Sequence, residues 1–148
     1  MFNKLNSAKI YDQSFMPKVF LGGTYNNSTW RGELIPTLKI ESYNPVVDDW
    51  TPECQEEEIR QREVCDYCLY TITPEMKGVY SIAEAVEDSV RRPHKTILCV
   101  LEEANGKRFD ESEMKSLKQV GAMVKANGGS VFYNLEDVTK YLNSRGEL

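Results

Sequence analysis

The strongest constraint on this chain is an alternation. Short apolar runs suited to buried strands take turns with helical patterns, five times over. The runs are Lys18-Val-Phe-Leu-Gly-Gly23, Ile40 to Val47, Val64 to Ile72, Lys95 to Leu101 and Ser130 to Tyr133. The first helix is expected from a Ser28 or Thr29 cap through Trp30 and Leu34, checked by Pro36. A second, Glu53 to Glu63, follows a Thr51 cap with Pro52 at the first helical position. A third covers Ile82 to Val90. A fourth starts at Asp110 or Ser112, runs through Met114, Leu117, Val120 and Val124, and stops at Asn127-Gly-Gly129. Asn134 caps a fifth, Leu135 to Leu142, and a frayed tail is expected from Asn143 to Leu148. Strands separated by helices pair in parallel through right-handed crossovers. The expected fold is therefore α/β: a doubly wound, five-stranded parallel sheet, order 2-1-3-4-5, with helices on both faces. A chain of 148 residues suits one such domain, taken as 17–148, behind a weakly patterned extension, 1–16.

That strand order reverses direction between strands 1 and 3, and open α/β sheets bind ligands beyond the carboxyl ends at such a point. The loops there are Gly22 to Ser28 and Thr71 to Ser81. Gly22 and Gly23 let the backbone approach a ligand closely. Tyr80 and Ser81 end the second loop, and Glu84 stands one turn into the next helix. In that position a carboxylate serves as general base or nucleophile, or it completes a capping box with Ser81. Asp66 lies near the start of the third apolar run. It is either solvated at the strand's beginning or held for chemistry, because a buried unpaired charge is costly. Asp48, Asp49 and Trp50 suit either a pocket lip or a polar turn. The charges of Glu53 to Glu63 read as a solvated face, acids early and Arg60 and Arg62 late, in accord with the helix dipole.

Cys65 and Cys68 form a C-x-x-C inside an apolar run rather than at a strand-to-helix turn, and no second pair offers zinc spacing. Burial as small hydrophobes is the better reading. No metal or cofactor is expected. A net charge of −5, with scattered Lys and Arg, opposes binding to a phosphate backbone. No apolar run approaches the roughly 20 residues needed to span a bilayer. The first seven residues lack the apolar segment of a signal peptide, so the cytoplasm is the expected location.

Four stretches, taken together and in order, carry a resemblance. Lys18-Val-Phe-Leu-Gly-Gly-Thr24, Asn44-Pro-Val-Val-Asp-Asp-Trp50, Cys65-Asp66 and Gly78-Val-Tyr-Ser-Ile-Ala-Glu84 resemble the nucleoside 2-deoxyribosyltransferase-like family, in its shorter branch, over roughly residues 17 to 101. The resemblance implies a flavodoxin-like fold and transfer of 2-deoxyribose between nucleobases. It implies Glu84 as the nucleophile that holds a covalent deoxyribosyl intermediate, a two-step substitution that retains configuration. It implies Asp66 as the acid that protonates the departing base. Gly22, Gly23 and Thr24 would line the nucleoside cleft. Tyr80 and Ser81 would hold the sugar or orient Glu84, and Tyr25 and Trp50 would stack on the base. The family's better-known enzymes carry an acid before a Ser-Gly-Thr ahead of this helix. Here Lys77-Gly-Val-Tyr-Ser81 has none, which leaves open the sugar and the choice between nucleoside and nucleotide. A homo-oligomer is implied, because those enzymes complete their sites from a neighbouring subunit.

Two other functions fit the same residues. An N-glycoside hydrolase differs only in letting water capture the intermediate. A catalytically silent nucleotide-binding or sensor domain is favoured by the missing acid and opposed by the pair Asp66 and Glu84.

Overall fold

The computed structural model describes residues 15–25 and 27–146. Its core is a five-stranded, all-parallel sheet, and its helices pack on both faces. The strands are β1 (Lys18–Gly23), β2 (Glu41–Tyr43), β3 (Tyr67–Ile72), β4 (Thr96–Val100) and β7 (Ser130–Phe132), in the order β2-β1-β3-β4-β7. With β7 counted as the fifth strand of this sheet, that is the expected doubly wound, flavodoxin-like order. The helices are α1 (Trp30–Leu34), α2 (Pro52–Val64), α3 (Tyr80–Arg91), α4 (Glu111–Ala126) and α5 (Leu135–Arg145). Strand residues alternate between two cores. Val19, Leu21, Leu69, Ile97 and Cys99 meet Trp30 and Leu34 of α1 and Val138 and Leu142 of α5. Phe20, Cys68, Tyr70, Leu98 and Val100 face the other way, onto Ala85 of α3 and Met114, Leu117 and Val124 of α4.

The ends of the elements follow local chemistry. Thr51 caps α2 by accepting from the Cys54 N–H at 3.3 Å, with Pro52 as the first helical residue. Asp110 and Glu113 form a reciprocal capping box on α4, and Asn134 caps α5. Asn105 and Gly106 both take positive φ, 52° and 78°, and close a small hairpin of β5 (Glu103–Ala104) and β6 (Lys107–Arg108).

Several boundaries differ from the expectation. The second strand was expected through Val47 but stops at Tyr43. Asn44 Oδ1 accepts from the Val46 N–H at 3.1 Å, and Pro45 has no N–H to offer a ladder. The third strand starts at Tyr67 rather than Val64, because α2 runs on to Val64 and the Cys65 N–H still bonds back to Gln61 O. Thr29 occupies the N-cap position of α1 without capping it; its hydroxyl donates to Asn105 Oδ1 at 3.2 Å. The last helix runs three residues into the expected frayed tail, to Arg145. Asn143 fixes it there, donating to Thr37 O at 2.9 Å and accepting from the Lys39 N–H at 2.8 Å. Most of the extension 1–16 lies outside the described residues.

Candidate active site

The carboxyl ends of β1 and β3 are drawn tightly together. A Cβ on Gly22 would stand 2.8 Å from the Tyr70 ring, and one on Gly23 only 2.2 Å from Thr71 O. Gly23 also takes a φ of +120°. These two glycines are therefore required first by the neighbouring strand. The Thr24 N–H donates to Thr71 O at 2.9 Å, and Thr24 Oγ1 accepts from the Thr73 N–H at 3.0 Å, so the two loops at the switch point are joined.

Arg31 fixes the first loop from beneath. Its guanidinium donates to Leu21 O (3.0 Å), Thr24 O (2.8 Å) and Gly23 O (3.4 Å). It is sandwiched between the Trp30 and Tyr25 rings, 4.3 and 4.6 Å from their centroids. Burial brings its pKa down to about 10, partly offset by Tyr25 and Glu58. The arginine thus sets the height of Gly23 and Thr24 and the tilt of the Tyr25 ring.

Helix α2 forms the opposite wall. Glu58, Gln61, Arg62 and Cys65 recur at three- and four-residue spacing, and Gln61 and Arg62 are buried. Arg62 reaches across to α3. Its Nη1 lies 3.1 Å from Glu84 Oε2, and its Nη2 lies 3.2 Å from Glu87 Oε1 and 2.9 Å from Asp88 Oδ1. Asp88, completely buried, also takes Arg92 at 3.0 Å and the Tyr70 hydroxyl, while Arg62 Nε donates to that hydroxyl at 3.0 Å. Glu84 and Asp88 are four apart on α3 and share the face that meets Arg62. The helix opens at Val79 with no side-chain cap, so the Ser81–Glu84 capping box does not form. Glu84 is directed at Arg62 instead.

The side chain of Glu84 is only 17% exposed. Burial pushes its carboxyl up to about 7; Arg62 pulls the other way, and Glu58, Asp88 and Glu87 add to the rise. One guanidinium shared among three carboxylates cannot fully compensate each of them. Glu58 is half-buried and raised chiefly by burial, against the pull of Tyr25, Arg31 and Arg62. Tyr25 is itself pushed up to about 12 by burial and by Glu58.

Two cavities share Tyr25, Glu58, Tyr80 and Glu84. The larger, about 410 Å³, adds Pro45, Val47, Trp50, Ile59 and Arg62. The smaller, about 190 Å³, adds Gly22, Gly23, Thr24, Met76, Gly78 and Ser81. Of the residues singled out from sequence, Gly22, Gly23, Thr24, Tyr25, Trp50, Tyr80, Ser81 and Glu84 meet here. Asp48 and Asp49 are exposed and line neither cavity; they belong to the polar turn. Asp66 is a correction. It precedes β3, and its Oδ2 accepts from the Lys18 N–H at 2.8 Å, at the amino end of the sheet. Six strand residues separate it from the loops above, roughly 20 Å at 3.3 Å per residue. Asp66 therefore does not reach the cleft. The solvated-face reading of α2 is also corrected: it holds for Glu57 and Arg60, paired in water at 2.7 Å, and fails for Glu58 and Arg62.

The C-x-x-C cysteines are free and buried, and they donate to Gln61 Oε1 and Arg62 O at 3.3 Å each. Burial raises both thiols, Cys68 to about 12, the opposite of a reactive thiolate. Among the described residues no helix is long and apolar enough to cross a membrane.

Fold and site define a class: a doubly wound α/β protein with a carboxylate-bearing, aromatic-rimmed cleft at its switch point. A family model described as nucleoside 2-deoxyribosyltransferase like matches residues 16–104, more than half of the chain and every residue of this cleft. The chain belongs to that family. Comparisons with curated proteins and with solved structures gave no match.

Proposed function

We propose that this protein cleaves the N-glycosidic bond of a 2′-deoxynucleoside or its nucleotide and transfers the deoxyribosyl group to a second base, with Glu84 as nucleophile. The supporting observation is the position of Glu84, a largely buried carboxylate opening into both cavities and paired with Arg62 at 3.1 Å. A Glu84 oxygen bonds to the anomeric carbon as the carbon–nitrogen bond breaks, and the bonding pair leaves with the base. An incoming base nitrogen then attacks the same carbon and releases the carboxylate. Two inversions retain the configuration. Arg62 favours the charged form that attacks, and burial strips that form of water.

The cavities suit the two halves of such a substrate. Tyr25, Val47, Trp50 and Ile59 offer an apolar and aromatic surface to a flat base. Gly22 to Thr24 and Ser81 offer backbone and hydroxyl groups to the sugar. The test is base exchange: wild-type protein, a purine 2′-deoxynucleoside and a second free base, followed by chromatography. Formation of the new nucleoside, abolished in Glu84→Gln, is the expected result. Release of base and free deoxyribose without exchange would assign a hydrolase, with water as the acceptor. Binding without either product would assign a nucleotide-binding domain.

A further inference from the structure

Breaking a bond to a nucleobase needs a proton for the departing nitrogen, since the base leaves poorly as an anion. Asp66 stands at the far end of the sheet, bonded to the Lys18 N–H, and cannot supply that proton. The cleft must provide another donor. Arg62 is fully engaged with carboxylates and Tyr70 and keeps its protons. The Tyr25 phenol, near 12, is too weak an acid at neutral pH. Tyr80 is 70% exposed, and Lys77 is exposed as well. Glu84 is the attacking group. Glu58 is left.

We propose that Glu58 is the catalytic acid and base of this site, giving its proton to the base as it departs and recovering one from the base that arrives. This rests on the reading of Glu84 as nucleophile. Glu58 is the other carboxylate that lines both cavities, so it stands beside any ligand that spans them. The groups facing it come from four elements. The Tyr25 phenol of the β1 loop, Arg31 of α1 and Arg62 of α2 favour its charged form, and the Glu84 carboxylate of α3 feels its charge in turn. Burial favours its neutral form, while the tyrosine and the two arginines support its anion. Both states of a proton shuttle therefore have partners, as acid–base roles at such sites require.

The steps balance. As Glu84 Oε bonds to the anomeric carbon, the carbon–nitrogen pair moves to the base and the Glu58 carboxyl proton moves to that nitrogen, leaving Glu58 as carboxylate. In the return step the incoming base gives its N–H proton to Glu58 as its nitrogen bonds the anomeric carbon and Glu84 leaves. With water as acceptor, Glu58 takes the water proton instead.

The test compares Glu58→Gln with wild type on two substrates. One is whichever natural purine 2′-deoxynucleoside the wild type cleaves. The other is 7-methyl-2′-deoxyguanosine, whose base departs neutral and needs no proton. The expected result is a loss of about 10²- to 10⁴-fold in kcat/KM on the natural substrate, the usual range for general acid catalysis, with less than about tenfold on the methylated one. Equal losses on both would overturn the proposal and make Glu58 a binding residue. No loss on either would overturn it as well. A Glu84 adduct on wild-type protein by intact mass, obtained in parallel, keeps the two ideas apart. Its presence leaves the nucleophile standing whatever Glu58→Gln does, and its absence, with no cleavage of either nucleoside, removes both.

Discussion

The two ends of β3 carry the same functional group to opposite effect. At the amino end Asp66 sits beside water and accepts one hydrogen bond from the Lys18 N–H. Beyond the carboxyl end, Glu84 is withdrawn from water, held by an arginine that two other carboxylates also claim, and pushed up to about 7. The difference lies in what a parallel sheet offers at each end. The amino end presents backbone N–H groups and closely fitted turns; here Lys95 Nζ caps Glu63 O and Cys65 O at 2.7 Å each. The carboxyl end presents loops that diverge around the switch point and leave a crevice. A carboxylate at the first end is anchored, while one at the second is desolvated and faces the crevice.

The contrast is broken most severely by Glu84→Gln. If Glu84 attacks carbon, this near-isosteric change should lower turnover by about 10⁴-fold or more, the scale on which loss of a catalytic group is felt. The fold should survive. The sign of the stability effect follows from the shift. A carboxyl raised from 4.5 to about 7 in the folded state contributes stability that is fully present below 4.5 and is lost as pH rises through 7. The stability of Glu84→Gln relative to wild type should therefore increase across that window, by up to about 3 kcal/mol at 1.36 kcal/mol per pKa unit. Thermal melts of both proteins from pH 4 to pH 8 measure it. Wild-type kcat/KM should follow a bell across pH, because attack needs the Glu84 carboxylate and departure of the base needs the Glu58 proton.

Arg62→Met comes next. It leaves Asp88 and Glu84 buried with one cation fewer, and removing one partner of a buried pair costs about 3–5 kcal/mol. Chemical denaturation should show that loss, and any remaining activity should have its rising limb moved to higher pH. Gly23→Ala sharpens the contrast from the backbone side. The new Cβ would stand 2.2 Å from Thr71 O at a positive φ, so β1 and β3 must part where the cleft is built. A loss of about 1–3 kcal/mol, on the scale of strained backbone positions, should come with raised KM. Asp66→Asn should do least: about 1 kcal/mol or less, since an amide oxygen can still accept from the Lys18 N–H, and kcat/KM within about twofold of wild type. A hundredfold drop in activity for Asp66→Asn would erase the distinction between the two ends.

The sequence made the architecture legible because strand and helix periods alternate cleanly. The apolar runs of β1, β3 and β4 are continuous, as strands covered on both faces must be. The two crevice loops and Glu84 followed from the topology. The walls of the cleft did not. Helix α2 packs inward through Glu58, Gln61 and Arg62, and hydrophobic periodicity cannot report a helix whose buried face is charged. The recurrence at 58, 61, 62 and 65 was the available signal, hidden among Glu53, Glu56, Glu57 and Arg60. Arg31 was equally silent. Its aromatic neighbours Tyr25 and Trp30 are in the sequence, but the sandwich they make depends on the loop's return. Asp66 was misplaced by the resemblance. The direction of β3 alone puts a residue before Tyr67 at the amino end, away from any switch-point ligand.

As the proposed nucleophile, Glu84 must form a bond to the sugar. The most direct test is brief incubation with a 2′-deoxynucleoside, acid quench, and intact mass followed by peptide mapping. The expected result is an added deoxyribosyl mass confined to the peptide that carries Glu84 and absent from Glu84→Gln. Base release or exchange by wild-type protein with no adduct at Glu84, or with an adduct on another residue, would contradict it.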